Sequence, residues 1–266
     1  MIQAAVLGSP IAHSLSPRLH NAAYKFLGLA GTYSSFDVAS GALHKFLSDK
    51  TNSWTGFSLT MPLKEEALDC VDFIDPLVLR IKSGNTIVNH EGAWKLFSTD
   101  VLGFKNAFDF HSSEQPASVV IIGSGATARA AAAAFDSHGT HIQIIHRNSD
   151  RENSMKNCVQ ESSITFSPWK FDERILKADL VINTTPKFVL DELATSLSTK
   201  PSGIFFDALY DPWPTQFAHE WSGHAGRVIS GLELLIAQGI EQIKFFTGKE
   251  IPTPELLSFL KKELSV

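Results

Sequence analysis

No stretch of the chain approaches the roughly 18 consecutive apolar residues of a membrane-spanning helix, so no membrane association is expected. It has no basic excess either. Lys and Arg number 23 against 28 Asp and Glu, for a net charge of −5, where a nucleic-acid binder would carry a basic patch or stripe. Only two cysteines occur, Cys70 and Cys158, far apart and outside any metal-like spacing. They read as inert thiols in a reducing compartment. Patterned metal ligands are missing too. The ten histidines scatter, and His138 and His141, parted by Gly-Thr, read as turn residues. Residues 1–8 lack a basic leader and are too short for a signal core, so they read as a strand and the expected location is cytoplasmic. No repeat, coiled coil or low-complexity tract is present.

What is present is an alternation of short apolar strands with amphipathic helices, the pattern of an α/β protein, in a chain long enough for two ordinary domains. After the first strand, Ser16-Pro17 reads as an N-cap with proline at the first helical position, and Gly28 as the stop of that helix. Residues 32–38 and 56–61 read as strands. In the second of these, Phe57, Leu59 and Met61 alternate with Ser58 and Thr60. A polar break at 111–118 separates this half from a new strand at 119–122, an alanine-rich helix, and further strands at 142–145 and 180–182. Leu232, Leu235, Ile236, Gly239, Ile240 and Ile243 form one stripe of a late helix.

The strand at 119–122 runs into Gly123-Ser124-Gly125-Ala126-Thr127-Ala128. Gly123 suits the tight turn, Gly125 lets a pyrophosphate approach the backbone, and Ala128 lets the helix pack closely on the strand. The N–H groups opening that helix would face phosphate. An NAD site would end the next strand in Asp or Glu. Here it ends Ile145-His146-Arg147-Asn148-Ser149-Asp150-Arg151. No acid stands at the strand end, and Asp150 lies several residues beyond it. Arg147 and Arg151 can clamp a 2′-phosphate, with a neutral hydrogen bond from Asn148. In isolation the two arginines would be a solvated turn. Downstream of the glycine motif they favour NADP(H).

Taken together, Gly8-Ser-Pro-Ile-Ala-His-Ser14-Leu-Ser16-Pro17 with His20-Asn21, Thr60-x-Pro62-x-Lys64, Gly84-Asn85-Thr86, Ser98-Thr99-Asp100, Asp207-x-x-Tyr210-x-Pro212-x-x-Thr215, and Gly231-Leu232-Glu233 followed by Gln238-Gly239 resemble the motifs of shikimate dehydrogenases, in family order over nearly the whole chain. On residue type alone, Lys64 reads as a solvated residue opening a helix, Asp100 as an N-cap ahead of Val101, and Thr184 as part of a turn. The resemblance implies instead that Lys64 is the catalytic acid/base with Asp100 beside it. It assigns Ser14, Ser16, Thr60, Asn85, Tyr210 and Gln238 to substrate. It assigns Gly123, Ser124, Gly125, Ala126, Thr127, Arg147, Asn148, Arg151, Thr184 and Gly231 to the cofactor. Ser58 and Ser98 stand where the family usually has Asn, and Ser58, sharing a face with Thr60, is expected on the site side of its strand. His146 and Asn148 replace the Asn and Thr of the family's clamp, and Ala126 a common glycine.

The expectation is therefore a substrate domain over 1–101, a Rossmann-like NADP domain over 102–230, and C-terminal helices over 231–266 returning to the first, with nicotinamide and ring carbon meeting in the cleft. The expected reaction is NADPH-dependent reduction of 3-dehydroshikimate to shikimate by a monomer or homodimer. Quinate/shikimate oxidation with NAD and a noncatalytic NADP-binding regulator are the competing readings.

Overall fold

A computed structural model describes residues 1–50 and 53–264. The chain divides into two compact units, Met1–Gly103 with Leu235–Val266, and Phe104–Leu234. Both boundaries fall inside helices, a few residues beyond those read from the sequence.

The first unit holds β1 (Ile2–Gly8), α1 (Ser16–Phe26), β2 (Gly31–Asp37), α2 (Leu43–Ser48), β3 (Gly56–Leu59), α3 (Leu63–Glu66), β4 (Phe73–Ile74), α4 (Pro76–Ile81), β5 (Thr86–His90), β6 (Ala93–Phe97) and the start of α5 (Asp100–Asp109). Its sheet runs β2-β1-β3-β5-β6-β4. β1 is parallel to β2 and β3, and β5 is antiparallel to both β3 and β6. That arrangement brings four ends to one edge: the C-terminal ends of β1, β3 and β6 and the start of β5.

Two expectations are corrected here. The third strand stops at Leu59 rather than Met61, which is 68% exposed. All four residues of β3 are buried, so burial does not alternate along it as the polarity does. Phe57 and Leu59 pack with Leu43, Leu47 and Leu63 on one face, while Ser58 faces Gln242 on the other. A sheet covered on both faces buries its polar residues with the apolar ones. The second correction concerns Ser16, which is the first helical residue of α1 and not its cap. The cap position is Leu15, and the Ser16 N–H donates to Ser14 Oγ at 3.3 Å. Gly28 does end the helix, with φ +63°.

The second unit holds β7 (Ser118–Ile122), α6 (Ala126–Ala134), β8 (His141–His146), α7 (Glu152–Lys156), β9 (Ser163–Pro168), α8 (Arg174–Lys177), β10 (Leu180–Asn183), α9 (Asp191–Ala194), β11 (Ile204–Asp207), α10 (Gln216–Gly223) and β12 (Arg227–Ile229). α11 (Gly231–Thr247) begins in this unit and ends in the first, followed by α12 (Thr253–Leu264). The sheet is wholly parallel in the order β9-β8-β7-β10-β11-β12. The chain winds outward from β7 to β9, returns beside β7 and winds the other way, the doubly wound order that opens a ligand crevice at the carboxyl ends of β7 and β10. Ala128, Ala130, Ala131 and Ala132 of α6 are buried, small enough for close helix–sheet packing. On the other face, Phe205, Phe217 and Trp221 join Val120, Ile122 and Val181. Each such side chain contributes about 1.5–3 kcal/mol on burial.

Neither cysteine forms a disulfide. Among the described residues no helix is long and apolar enough to cross a membrane.

Candidate active site

Along the shared strand edge of the first unit, the turns following β1 and β3 meet. Ser9 N–H donates to the Met61 carbonyl at 3.1 Å. A Cβ on Gly8 would fall 2.4 Å from Thr60 Cγ2, so only glycine admits this approach. Ser14 and Thr60 are half-buried and Ser16 is buried, each on one of these two turns or just past it. Pro62 and the one-turn α3 then carry Lys64 inward. Its Nζ lies 2.6 Å from Asp100 Oδ2, with side-chain exposures of 17% and 7%. The plain alternatives for both residues therefore give way. Lys64 is not a solvated residue, and Asp100 is the first residue of α5 rather than a cap before it.

Asp100 is also held from its other side. Asn85 Nδ2 donates to Asp100 Oδ1 at 2.9 Å, to Thr99 Oγ1 at 2.9 Å and to Gln238 Oε1 at 3.2 Å. Asn85 Oδ1 accepts the Thr99 N–H at 2.7 Å and the Thr86 hydroxyl at 3.0 Å, which fixes which end of the amide points at the carboxylate. Gln238 is 8% exposed on α11, whose approach to α5 is close: a Cβ on Gly103 would lie 2.7 Å from Gln238 Cβ. Lys64, Asn85, Asp100 and Gln238 thus form one hydrogen-bonded group. A lysine paired to a carboxylate and screened from water can give or take a proton at a carbonyl or hydroxyl placed beside it.

Behind this group lies a polar layer that residue type did not reveal. Ser58 accepts the Tyr33 hydroxyl at 2.5 Å and donates to Gln242 Oε1 at 2.8 Å. Gln242 Nε2 donates to Thr86 Oγ1 at 3.1 Å, and His20 Nε2 lies 3.2 Å from Gln242 Oε1. His20 stacks on Tyr33 with ring centroids 3.9 Å apart. Ser58 is therefore committed to Tyr33 and Gln242, because α11 covers its face of the sheet. Ser58 thus lies on the side of its strand that faces α11, the helix bearing Gln238, with its hydroxyl bonded to Tyr33 and Gln242. The signal available was Gln242 itself, a second amide one turn after Gln238 on the same helix. Ser98 is buried as well.

In the second unit, Gly123 has φ +118°, and a Cβ there would fall 2.4 Å from Thr184 Oγ1. Thr184 donates to the Ile122 carbonyl at 2.9 Å, tying the end of β10 to the glycine turn. This is the crevice where the strand order reverses, so Thr184 is more than a turn residue. Ser124 is buried, and Ala126 and Thr127 open α6 behind an N-cap Gly125 that brings no side chain. A Cβ on Gly125 would meet only Arg151 Nη1, at 3.6 Å. An open backbone turn, free N–H groups at a helix start and a guanidinium above them suit a dinucleotide's phosphates.

Asn148 accepts the Asp150 N–H at 2.9 Å, leaving its NH2 as the outward donor. His146 does not extend this outward-facing set. It is buried, with Nδ1 2.8 Å from the Asn148 carbonyl and Nε2 3.5 Å from Glu152. Arg147 follows β8 and Trp169 follows β9, its sheet neighbour. The guanidinium lies 4.3 Å from the Trp169 ring. Trp169 Nε1 donates to Glu192 Oε1 at 2.5 Å, and the same oxygen is 3.5 Å from Arg147 Nη2. Nothing in the sequence pattern pointed to Trp169 or Glu192.

Past β11, the segment bearing Tyr210 is pinned at both ends. Buried Asp207 accepts from Asn183 Nδ2 at 2.9 Å and from Thr215 Oγ1 at 2.7 Å, and Thr215 also caps α10. Tyr210 is half-buried. Gly231 packs on the backbone of this segment, where a Cβ would fall 2.5 Å from the Ala208 carbonyl oxygen.

Comparison with known proteins agrees with both halves. The profile of the shikimate dehydrogenase substrate binding domain matches residues 6–87, and that of the alanine dehydrogenase/PNT C-terminal domain matches residues 111–196. A relative from Methanosarcina barkeri named shikimate dehydrogenase (NADP(+)) is 34% identical, over 98% of each chain. A protein of the same name from Thermus thermophilus is 32% identical over 96% of this chain and 95% of its own. Among solved structures, Mycobacterium tuberculosis shikimate dehydrogenase superposes with a TM-score of 0.86 at 32% identity, covering 98% of this chain and 100% of that one. A Thermus thermophilus shikimate 5-dehydrogenase in complex with NADP(H) and shikimate does so with 0.84 at 30% identity, covering 99% and 100%.

Proposed function

The chain belongs to the shikimate dehydrogenase family, and on that premise we propose that it reversibly reduces 3-dehydroshikimate to shikimate with NADPH. NADP(H), when bound, supplies the hydride. Lys64 Nζ holds the proton that the carbonyl oxygen takes up as it becomes a hydroxyl, and receives it back in the reverse direction. Asp100 holds that amine in place. Asn85, oriented by Thr86 and Thr99, presents its NH2 beside Asp100, and Gln238 adds a second amide for the substrate's hydroxyls. Ser14, Ser16 and Thr60 supply hydroxyl donors for the ring carboxylate, and Tyr210 belongs with the substrate-binding set. On the cofactor side, the turn Gly123–Thr127 with Thr184 and Gly231 receives the dinucleotide, and Arg147, Asn148 and Arg151 receive its 2′-phosphate.

The observation that carries this reading is the enclosed Lys64–Asp100 pair at 2.6 Å, on the motifs that also define the family. Quinate oxidation with NAD has no comparable support. The strand end that would need an acid carries His146, Arg147 and Asn148, and the close relatives are named for NADP. A noncatalytic role is disfavoured because neither member of the pair is lost. The test is a steady-state grid of shikimate and quinate against NADP and NAD. Shikimate with NADP is expected to give the highest kcat/KM, and failure to reduce NADP with shikimate would overturn the proposal.

A further inference from the structure

Arg147 is expected to bind a phosphate, yet a carboxylate already stands beside it. Its guanidinium has one face over the Trp169 ring at 4.3 Å, and its Nη2 is 3.5 Å from Glu192 Oε1. Two long surface side chains that meet by chance exchange partners freely, but Glu192 is tethered. The oxygen that faces Arg147 also accepts the Trp169 indole N–H at 2.5 Å. Trp169 thus fixes both partners at once, the guanidinium by stacking and the carboxylate by a hydrogen bond.

We propose that Glu192 is a resident competitor for the 2′-phosphate position, and so a determinant of how strongly this chain prefers 2′-phosphorylated dinucleotides over unphosphorylated ones. The proposal rests on the reading of Arg147 as part of the 2′-phosphate clamp. A phosphate arriving at Arg147 must displace the Glu192 carboxylate or share the guanidinium with it. Displacement loses an ion pair, and sharing places two anions within a Debye length of each other. Both costs fall on a ligand carrying the 2′-phosphate. A ligand with a 2′-hydroxyl brings no second anion there and escapes them. In exchange, the stack and the carboxylate keep the guanidinium in one orientation before the ligand arrives. Arg151, over the glycine turn, is not part of this arrangement.

Glu192→Gln separates the charge from the shape, because the amide oxygen can still accept the Trp169 N–H. Adenosine 2′,5′-bisphosphate and 5′-AMP, which differ only in the 2′-phosphate, are titrated into wild type and variant by calorimetry. Trp169 fluorescence, assigned by difference from Trp169→Phe, provides a second readout. The variant is expected to bind the bisphosphate about two- to five-fold more tightly, the range of an exposed ion pair, and 5′-AMP unchanged. The gain should shrink as salt is raised. If wild type prefers the bisphosphate and the variant binds it equally or more weakly, the competitor role is overturned and the NADP reading stands. If wild type shows no preference for the bisphosphate over 5′-AMP, the 2′-phosphate reading fails and the proposal falls with it.

Discussion

Lys64 Nζ and Asp100 Oδ2 are 2.6 Å apart in surroundings that leave the aspartate side chain 7% exposed. An enclosed ion pair is a weak source of net stability, since desolvation offsets much of the attraction, but removing one partner strands the other. Among the described residues, Asp100 would then keep the Asn85 amide, a neutral donor. The pair is better explained by reactivity than by folding.

Lys64→Met is accordingly expected to cut turnover about 10²- to 10⁴-fold, the usual worth of a positioned acid/base, with the dissociation constant for shikimate changed only a few-fold. It should also lower stability, because the carboxylate is left unpaired. Adding Asp100→Asn to that variant should recover part of the stability and none of the activity. A double-variant loss equal to the sum of the Lys64→Met and Asp100→Asn losses would show that the two side chains are not coupled.

The two glycines of the cofactor turn should separate folding from binding. Gly123 has φ +118°, and its Cβ would strike Thr184 Oγ1 at 2.4 Å. Gly123→Ala should therefore cost about 1–3 kcal/mol in denaturant unfolding and also weaken NADP binding. Gly125 has an ordinary φ of −85° and meets only a flexible arginine tip at 3.6 Å. Gly125→Ala should leave the unfolding midpoint nearly unchanged while still raising the NADP dissociation constant. Equal losses of stability in both would refute the distinction.

Arg151→Ala should raise KM for NADP with little effect on KM for NAD, and the NADP penalty should be largest at low ionic strength. An equal rise for both cofactors would mean that Arg151 serves the shared pyrophosphate and not the 2′-phosphate.

Much of this was readable in the residues, and the exceptions share a cause. The glycine turn, the switch from β7 to β8 and the helix stop at Gly28 depend on local backbone chemistry, which sequence encodes directly. Lys64 and Asp100 were nameable only through motif resemblance, since their pairing joins positions 36 residues apart. For Ser58, strand alternation gave the face and not what covers it. The cover comes from α11, nearly two hundred residues later. Trp169 and Glu192 left no periodic trace, since their link to Arg147 is a meeting of two turns and a short helix.

His20 provides the last expectation, one of stability against pH. It is fully enclosed, and burial lowers its pKa from 6.5 to about 3, against a smaller opposing effect of its hydrogen bond to Gln242. With Nε2 donating to Gln242, a neutral ring leaves Nδ1 as an acceptor, and no partner for that atom is found among the described residues. The unfolded chain binds a proton at this residue below about pH 6.5, whereas the folded chain refuses it until about pH 3. The unfolded state therefore holds more protons between those limits, so stability falls as the solution is acidified. The slope from this residue approaches about 1.4 kcal/mol per pH unit, and the loss at pH 5 is about 2 kcal/mol relative to neutral pH. His20→Phe keeps a ring to stack on Tyr33 and removes the titration. Its own stability at neutral pH should be lower, because Gln242 loses a donor. Urea unfolding of both proteins between about pH 5 and pH 7 should show the wild type losing stability more steeply on acidification, so that the gap between them narrows. Parallel curves across that range would mean that His20 takes up its proton equally in both states.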